Sequence, residues 1–192
     1  MALGDSYTIG TSVAESESWP NQLVRRLDGS PGLELIANLG VNGYTSGDLI
    51  RDELPRLDGL KTDFVSVLIG VNDVVQQVGL AAYAANVAAI LDDLLARLPE
   101  RRILAIATPD YTVTPQGAAF GDPKRQSAAI QRVNDALHKA AMARKIRFVP
   151  EIFELSRSAG RSLVAADGLH PSGAQYALWA DAIAPAVGEL LQ

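Results

Sequence analysis

The sequence contains no cysteine. A chain without cysteine forms no disulfide, offers no thiolate nucleophile and holds no metal through thiolates. This composition is compatible with the cytosol and does not exclude export. Histidine is also scarce, with only two copies in the chain, and no histidine cluster has the spacing of a metal site. The sequence therefore implies no metal.

Positive charge is limited too, with 17 Lys and Arg against 22 Asp and Glu and a net charge of -5. No run of five or more basic residues occurs, which argues against a nucleic-acid partner. No segment approaches the ~18 continuous apolar residues of a membrane-spanning helix. No leader precedes the first apolar run, which begins at Met1, so we expect a cytoplasmic protein. So short a first strand is also consistent with a natural chain that begins earlier.

Apolar runs typical of buried strands alternate with helical segments along the chain. This alternation predicts an α/β fold in three layers, a parallel sheet with helices on both faces. Because the 192 residues show no internal repeat or linker, we expect a single domain over residues 1–192. A turn is predicted over residues 28–32. Five strands are predicted, at Met1–Leu3, Leu33–Ala37, Phe64–Ile69, Ile103–Ala107 and Ile146–Val149.

The first strand runs directly into Gly4-Asp5-Ser6. Ligands of open α/β sheets bind in the crevice beyond the carboxyl ends of the strands. Ser6 can therefore be interpreted as a nucleophile, as a phosphate ligand or as the cap of the next helix. Near the other end of the chain, Asp167-Gly168-Leu169-His170 supplies the base and the orienting acid that a nucleophilic serine needs.

Of the two histidines, His170 is the candidate base, because it lies in a polar loop ahead of a predicted helix. An ordinary histidine pKa of about 6.5 suits proton transfer near neutrality. A loop histidine without a chemical task is the alternative. His138 lies mid-helix, off the apolar stripe, and is predicted to face solvent. Asp167 precedes His170 by three residues, so its carboxylate can reach Nδ1 and leave Nε2 facing Ser6; helix capping is the competing interpretation.

Two more turns of glycine and polar residues follow predicted strands, at Asn38–Gly43 and at Gly70–Asp73. Together with Gly4–Ser6 and Asp167–His170, and in this order, they resemble the four sequence blocks of the SGNH, or GDSL-type, hydrolase family of esterases, lipases and acylhydrolases. The resemblance spans nearly the whole chain. Tyr7 stands where the family name has leucine; this departure concerns the subfamily and not the chemistry.

The resemblance implies a flavodoxin-like sheet with strand order 2-1-3-4-5. It also implies a serine acyl hydrolase that cleaves carboxylic esters of small or short-to-medium acyl chains, without a cofactor. The implied catalytic residues are Ser6, Asp167 and His170. The implied oxyanion hole consists of the backbone N–H groups of Ser6 and Gly40 and the side-chain amide of Asn72. Taken alone, Gly40 would be an ordinary turn glycine and Asn72 a helix cap.

The substrate stays open at this point, because the resemblance covers short-chain esterases, lysophospholipases, thioesterases and carbohydrate deacetylases. We expect a small-molecule ester as the partner, and the oligomeric state is not indicated. In the long loop over residues 108–122, Tyr111, Val113 and Phe120 either line an acyl pocket or pin the loop to the body. The rival classes are a non-catalytic acyl- or sugar-binding module and a flavodoxin-like phosphate or flavin binder that uses the Ser6 turn.

Overall fold

The computed structural model of the protein describes residues 1–29 and 32–192, so the turn predicted over residues 28–32 lies partly outside the described residues. A four-stranded parallel sheet with strand order β1-β2-β3-β4 forms the centre. One row of residues across it consists of Leu3, Val67, Ala105 and Phe148. The predicted parallel α/β fold is confirmed. The strands are β1 (Ala2–Gly4), β2 (Val65–Leu68), β3 (Ile103–Ile106) and β4 (Arg147–Val149).

Helices cover the sheet in two packed pairs. Every residue of β1, β2 and β3 is buried, as expected of parallel strands with both faces covered. Helices α2 and α8 pack against each other, and so do α5 and α6. The helices are α1 (Ser6–Ile9), α2 (Trp19–Arg26), α3 (Ser46–Asp48), α4 (Val71–Val75), α5 (Leu80–Arg97), α6 (Pro123–Ala143), α7 (Glu151–Ser158) and α8 (Gly173–Leu191).

Each long helix buries one apolar face. Helix α5 buries Val87, Leu91 and Leu94, and α8 buries Trp179 and Ile183; residues at this spacing share one side of an α-helix. Burial of these side chains supplies the main driving force for packing the helices onto the sheet. Within the described residues, no helix combines the length and the apolar character needed to cross a lipid bilayer.

Helix α3 continues into irregular helix. A π-helical segment, Leu49–Glu53, follows it directly, and a 3₁₀ helix, Leu54–Gly59, comes next. π-Helical turns are rare and occur frequently at functional sites. Glu53 is fully buried, and its Oε2 accepts a hydrogen bond from the backbone N–H of Gly4 at 2.9 Å. The irregular segment therefore brings a carboxyl group to the end of β1.

The predicted second strand is reduced to a single bridge, so the described residues form four strands and not the predicted five. The segment lies outside β1, as the implied order requires, and pairs with it only at Ala2 and Asn38. Leu39 N donates to Ala2 O at 2.8 Å, and Val41 N donates to Gly4 O at 3.1 Å. A regular parallel ladder would also use the N–H of Gly4. Because that group donates to Glu53 instead, the ladder is interrupted.

Gly4 is tightly enclosed, which makes it a test of this packing. Its φ is +150°, and an added Cβ would lie 2.2 Å from Leu68 O and 2.4 Å from Thr8 Oγ1. Since the carbonyl of Leu68 is part of the sheet, we expect Gly4→Ala to lower the free energy of unfolding by about 2–4 kcal/mol or to prevent folding.

Gly188→Ala is the control for this substitution, because Gly188 lies within α8 with open space at its Cβ position. We expect this variant to be as stable as the parent or more stable by up to about 1 kcal/mol, owing to the higher helix propensity of alanine. Urea unfolding measures both changes. Equal stability of the two variants would show that Gly4 is not enclosed as described.

Candidate active site

Ser6 begins α1 directly beyond the end of β1. Asp5 is the N-cap of this helix, and its Oδ1 accepts a hydrogen bond from the backbone N–H of Tyr7 at 3.0 Å. The helix ends after one turn at Gly10, which has a φ of +85°. Ser6 is buried, with 4% of its surface exposed. Because the first N–H groups of a helix have no partner inside it, the N–H of Ser6 is available to an acceptor at this turn.

Asp167 holds the imidazole of His170 in a fixed orientation. Its Oδ2 lies 2.6 Å from His170 Nδ1, and its Oδ1 accepts hydrogen bonds from the backbone N–H groups of Leu169 and His170 at 2.9 and 3.0 Å. With Nδ1 facing a carboxylate, the neutral ring carries its hydrogen there and keeps a lone pair on Nε2. The sequence prediction that Asp167 can reach Nδ1 is therefore met in the structure.

Hydrogen bonds also keep the Asp167 carboxyl ionised. Partial burial favours a raised pKa, but the hydrogen bonds from Ser12, His170 and two backbone N–H groups outweigh it and hold the pKa of Asp167 well below its usual range. Ser12 Oγ donates to Asp167 Oδ2 at 2.6 Å. Asp167 therefore stays negatively charged beside the imidazole at all ordinary pH values.

The α1 region contacts the Asp167–His170 turn at two points. The ring of Tyr7, the residue after Ser6, lies 5.1 Å from the imidazole of His170 between ring centroids, and Ser12 bonds to Asp167. Among the described residues, no hydrogen bond joins Ser6 Oγ to His170. Catalytic hydrogen bonds are often long in unliganded structures and tighten when substrate binds. Ser6 and His170 therefore remain a candidate nucleophile and base without this hydrogen bond.

Gly40 and Asn72 both lie against the turn that carries Ser6. A Cβ at Gly40 would be 2.9 Å from Asp5 O, so the backbone approaches closely there. The N–H of Gly40 donates to Asn38 Oδ1 at 3.2 Å. Asn72 Nδ2 donates to Tyr44 O at 3.0 Å and to Asp5 Oδ2 at 3.4 Å. Both donor groups are therefore engaged with protein acceptors, and the Asp5 contact is the longest of these hydrogen bonds.

The long loop over residues 108–122 is anchored by side chains. Asp110, 1% exposed, accepts a hydrogen bond from Ser127 Oγ at 2.6 Å. Tyr111 is buried and meets Phe120 edge to face, with ring centroids 5.5 Å apart. The apolar loop residues were expected either to line an acyl pocket or to pin the loop to the body of the protein. The buried Tyr111 pins the loop, whereas Phe120 is 38% exposed and packs against Tyr111 from outside.

A small cavity lies between this loop and α1. Tyr7, Tyr111, Val113 and Leu169 are among its lining residues, and its volume is about 10 Å³. This is at most the space that a single water molecule needs. Val113 itself is 47% exposed. The cavity therefore holds no long acyl chain without movement of the loop.

Three carboxyl groups are buried beneath the Ser6 turn. Burial raises the pKa of Asp5 to about 7 against the opposing hydrogen bond from Tyr7, and burial raises the pKa of Glu53 to about 8 against the hydrogen bond from Gly4. Burial also raises the pKa of Asp73, which accepts hydrogen bonds from the N–H and Oγ of Ser46 at 2.9 and 2.5 Å. In the part of the chain that the structure describes, no group of three or more acidic or histidine side chains could hold a metal ion.

Sequence reasoning did not single out Glu53 or Ser12. Glu53 carries a usable signal, since it lies four residues after Leu49 and four before Leu57, both buried apolar positions, and this spacing puts all three on one helix face. Ser12 carries no such signal, because its partner is 155 residues away. His138 is exposed, as predicted, and stacks on Phe148 with ring centroids 4.6 Å apart.

A serine at a strand-to-helix turn and a histidine held by a carboxylate, on a parallel α/β sheet, are together typical of hydrolases. The chain belongs to the GDSL-like lipase/acylhydrolase family, whose model matches residues 2–178. It is therefore a member of a hydrolase family, as the resemblance of the four sequence blocks predicted. A search of curated proteins found no match to the chain.

Several solved structures share the fold. TesA is 22% identical, with a TM-score of 0.77 over 98% of this chain and 97% of its own. A lipase/acylhydrolase from Enterococcus faecalis is 21% identical, with a TM-score of 0.76 over 98% and 94%. A catalytic mutant of Axe2, an acetylxylan esterase from Geobacillus stearothermophilus, is 22% identical, with a TM-score of 0.75 over 97% and 92%. At these identities the likeness shows the fold.

The buried carboxyls predict a pH dependence of stability. Because folding raises the pKa of Asp5, Glu53 and Asp73, the unfolded chain releases protons that the folded protein retains as pH rises above the ordinary carboxyl range. We therefore expect the free energy of unfolding to fall by about 1–3 kcal/mol between pH 5 and pH 7. Urea unfolding at both pH values measures it. The N-terminal amine of Met1, whose pKa burial lowers to about 6, opposes part of this fall. Greater stability at pH 7 would show that the three carboxyl groups do not dominate the pH dependence.

Proposed function

We propose that the protein is a carboxylic ester hydrolase that works through an acyl-enzyme on Ser6. Ser6 Oγ attacks the ester carbonyl carbon while His170 Nε2 takes the hydroxyl proton. The tetrahedral intermediate then collapses, the bond to the alcohol oxygen breaks, and His170 returns the proton to the leaving alcohol. In deacylation, the second half of the reaction, water gives a proton to His170 and attacks the acyl carbon. The bond to Ser6 Oγ then breaks, Ser6 Oγ recovers the proton from His170, and the carboxylic acid leaves.

The observation that carries this proposal is the Asp167–His170 pair beside the Ser6 helix. The 2.6 Å contact at Nδ1 supports His170 as the base, because it leaves the lone pair on Nε2. The low pKa of Asp167 supports its role as the group that stabilises the imidazolium during turnover. A protein that only binds a ligand would have no use for an imidazole oriented in this way.

Three donors around the Ser6 turn are proposed to stabilise the oxyanion: the N–H groups of Ser6 and Gly40 and the Nδ2 of Asn72. Developing negative charge is stabilised best by preorganised donors in a site with little water. The 3.4 Å contact of Asn72 with Asp5 is long enough to be exchanged for an oxyanion at little cost. The raised pKa of Asp5 supports this exchange, since a partly neutral Asp5 competes less for the amide.

We propose that the acyl group is small, of the size of an acetyl group. The cavity of about 10 Å³ next to Tyr7 and Leu169 is too small for any acyl chain and is not lined by Ser6 or His170, so it argues against a long chain but does not itself define the acyl site. The similarity to an acetylxylan esterase agrees with this size and leaves the alcohol unspecified. The catalytic mutant of that esterase replaces a serine by alanine, which supports a serine nucleophile in the present chain.

Ser6→Ala tests the nucleophile. We expect kcat/KM to fall by at least about 10³-fold, to near background, since the acyl-enzyme cannot form. Hydrolysis of p-nitrophenyl acetate, butyrate and octanoate measures it, and we expect acetate to be the best of the three. Ser158→Ala is the matched control, because Ser158 is exposed on α7 and bonds only to its own helix. More than a tenth of the activity remaining in Ser6→Ala would refute the assignment.

Asn72→Ala tests the oxyanion donor. We expect kcat to fall by about 10²–10³-fold with little change in KM, because the lost hydrogen bond strengthens only in the transition state. Gln76→Ala is the control: this exposed amide also donates to a loop carbonyl, that of Gly43 at 2.9 Å, but makes no contact with Asp5. If both variants lose activity equally, loop support rather than oxyanion binding explains Asn72.

A further inference from the structure

We propose that Glu53 is a positioning residue, whose carboxyl group holds the turn between β1 and α1 in the conformation that presents Ser6. This inference rests on the proposed function, in which Ser6 is the nucleophile. Glu53 takes no part in the proton transfers of that mechanism. Its position and contacts nevertheless connect it to the reacting serine through only two intervening residues, Gly4 and Asp5.

A hydrogen bond joins Glu53 to the backbone of Gly4. Glu53 Oε2 accepts the N–H of Gly4 at 2.9 Å, in place of the ladder bond that a continued edge strand would supply. The carbonyl of the same residue is bound as well, since Gly4 O accepts from Val41 N at 3.1 Å. The φ of +150° and the lack of room for a Cβ restrict this position to glycine. Glu53 therefore fixes the peptide from which the Ser6 turn starts.

A carboxyl group is energetically costly to bury at this site. Glu53 is 0% exposed, and its Oε1 has no hydrogen-bond partner among the described residues. A buried polar atom without a partner destabilises a fold, and an apolar side chain of similar size would avoid this cost. Packing alone therefore does not account for Glu53, whereas an acceptor for the N–H of Gly4 does.

The surroundings of Glu53 disfavour the charged form of its carboxyl group. The charged groups that act on Glu53 are Asp5 in the adjoining turn, and Asp52 and Arg56 on its own segment; burial and the two acids raise its pKa, to about 8. At neutral pH the side chain is thus largely uncharged and still accepts the N–H through one oxygen. Ionisation at higher pH would put a negative charge at Gly4, two residues before Ser6, and we expect it to disfavour a transition state that develops negative charge at this turn.

The experiment compares Glu53→Gln, which keeps an oxygen acceptor and cannot ionise, with Glu53→Met, which has neither property. Glu34→Gln is the matched control, because Glu34 is exposed. We expect Glu53→Met to lose about 10-fold or more in kcat with little change in KM, since small displacements of a nucleophile are costly. Glu53→Gln should restore kcat to within about 3-fold at pH 7, and its kcat should lack the decline above pH 8 of the parent.

Glu53→Met with the kcat of the parent overturns the inference, and so does Glu53→Gln with a kcat as low as that of Glu53→Met. If Glu53→Met does not fold, the pH profile of Glu53→Gln decides, and an alkaline decline equal to that of the parent refutes the role of Glu53. Ser6→Ala in parallel separates the two proposals. Activity that persists without Ser6 overturns the proposed function, whereas loss of activity there with normal kcat in Glu53→Met overturns only this inference.

Discussion

The closed packing around Gly4 is the constraint on which the candidate site depends. Its N–H is bound by Glu53 and its carbonyl by Val41, and the sheet leaves no space for a side chain. Gly40 also packs closely against the Ser6 turn, near Asp5 O and Ile9 N. These contacts fix the direction in which the chain leaves the sheet. Ser6 then begins its helix beside the Asn38–Gly43 and Gly70–Asp73 turns, which contact the neighbouring Asp5. A short helix of four residues keeps this orientation because its surroundings, rather than its own hydrogen bonds, determine it.

The site also separates carboxyl groups whose pKa is lowered from carboxyl groups whose pKa is raised. Asp167 accepts hydrogen bonds from four donors, which stabilise its charge despite partial burial. Asp5 and Glu53 are fully buried and accept far fewer, so burial dominates and their pKa values rise. Negative charge is thereby concentrated on the side of the imidazole away from the proposed oxyanion. In a low-dielectric site this distribution favours an imidazolium and disfavours competition for the oxyanion donors.

Much of this arrangement could be predicted from the sequence, because it follows from short patterns. Buried runs such as Val65–Leu68 predict strands, and parallel strands put their following turns at one edge of the sheet. That reasoning brings Ser6, Gly40 and Asn72 together. The contact of Asp167 with His170 also follows, since His170 is the third residue after Asp167 in a turn. The strands, the meeting of the three turns and the Asp167–His170 contact can thus be predicted from short stretches of sequence.

The remaining features depend on contacts between distant segments. The second strand was expected from its apolar residues, but pairing beyond Ala2 requires a Gly4 N–H that Glu53 occupies, and no local pattern records that competition. The contact of Ser12 with Asp167 likewise depends on how the first turn meets the last loop. The loop side chains illustrate a further limit, because apolar character alone did not distinguish the buried Tyr111 from the exposed Val113.

Covalent labelling with a fluorophosphonate tests the central claim most directly. The reagent reacts with a serine whose proton is removed by a neighbouring base, and donors in the site stabilise the negative oxygen that develops on phosphorus. Labelling therefore tests the nucleophile, the base and the oxyanion donors in one experiment. The account predicts one adduct per chain, located by peptide mass at Ser6 and strongly reduced in His170→Ala. An adduct at another residue, or hydrolytic activity that survives without any adduct, would contradict it.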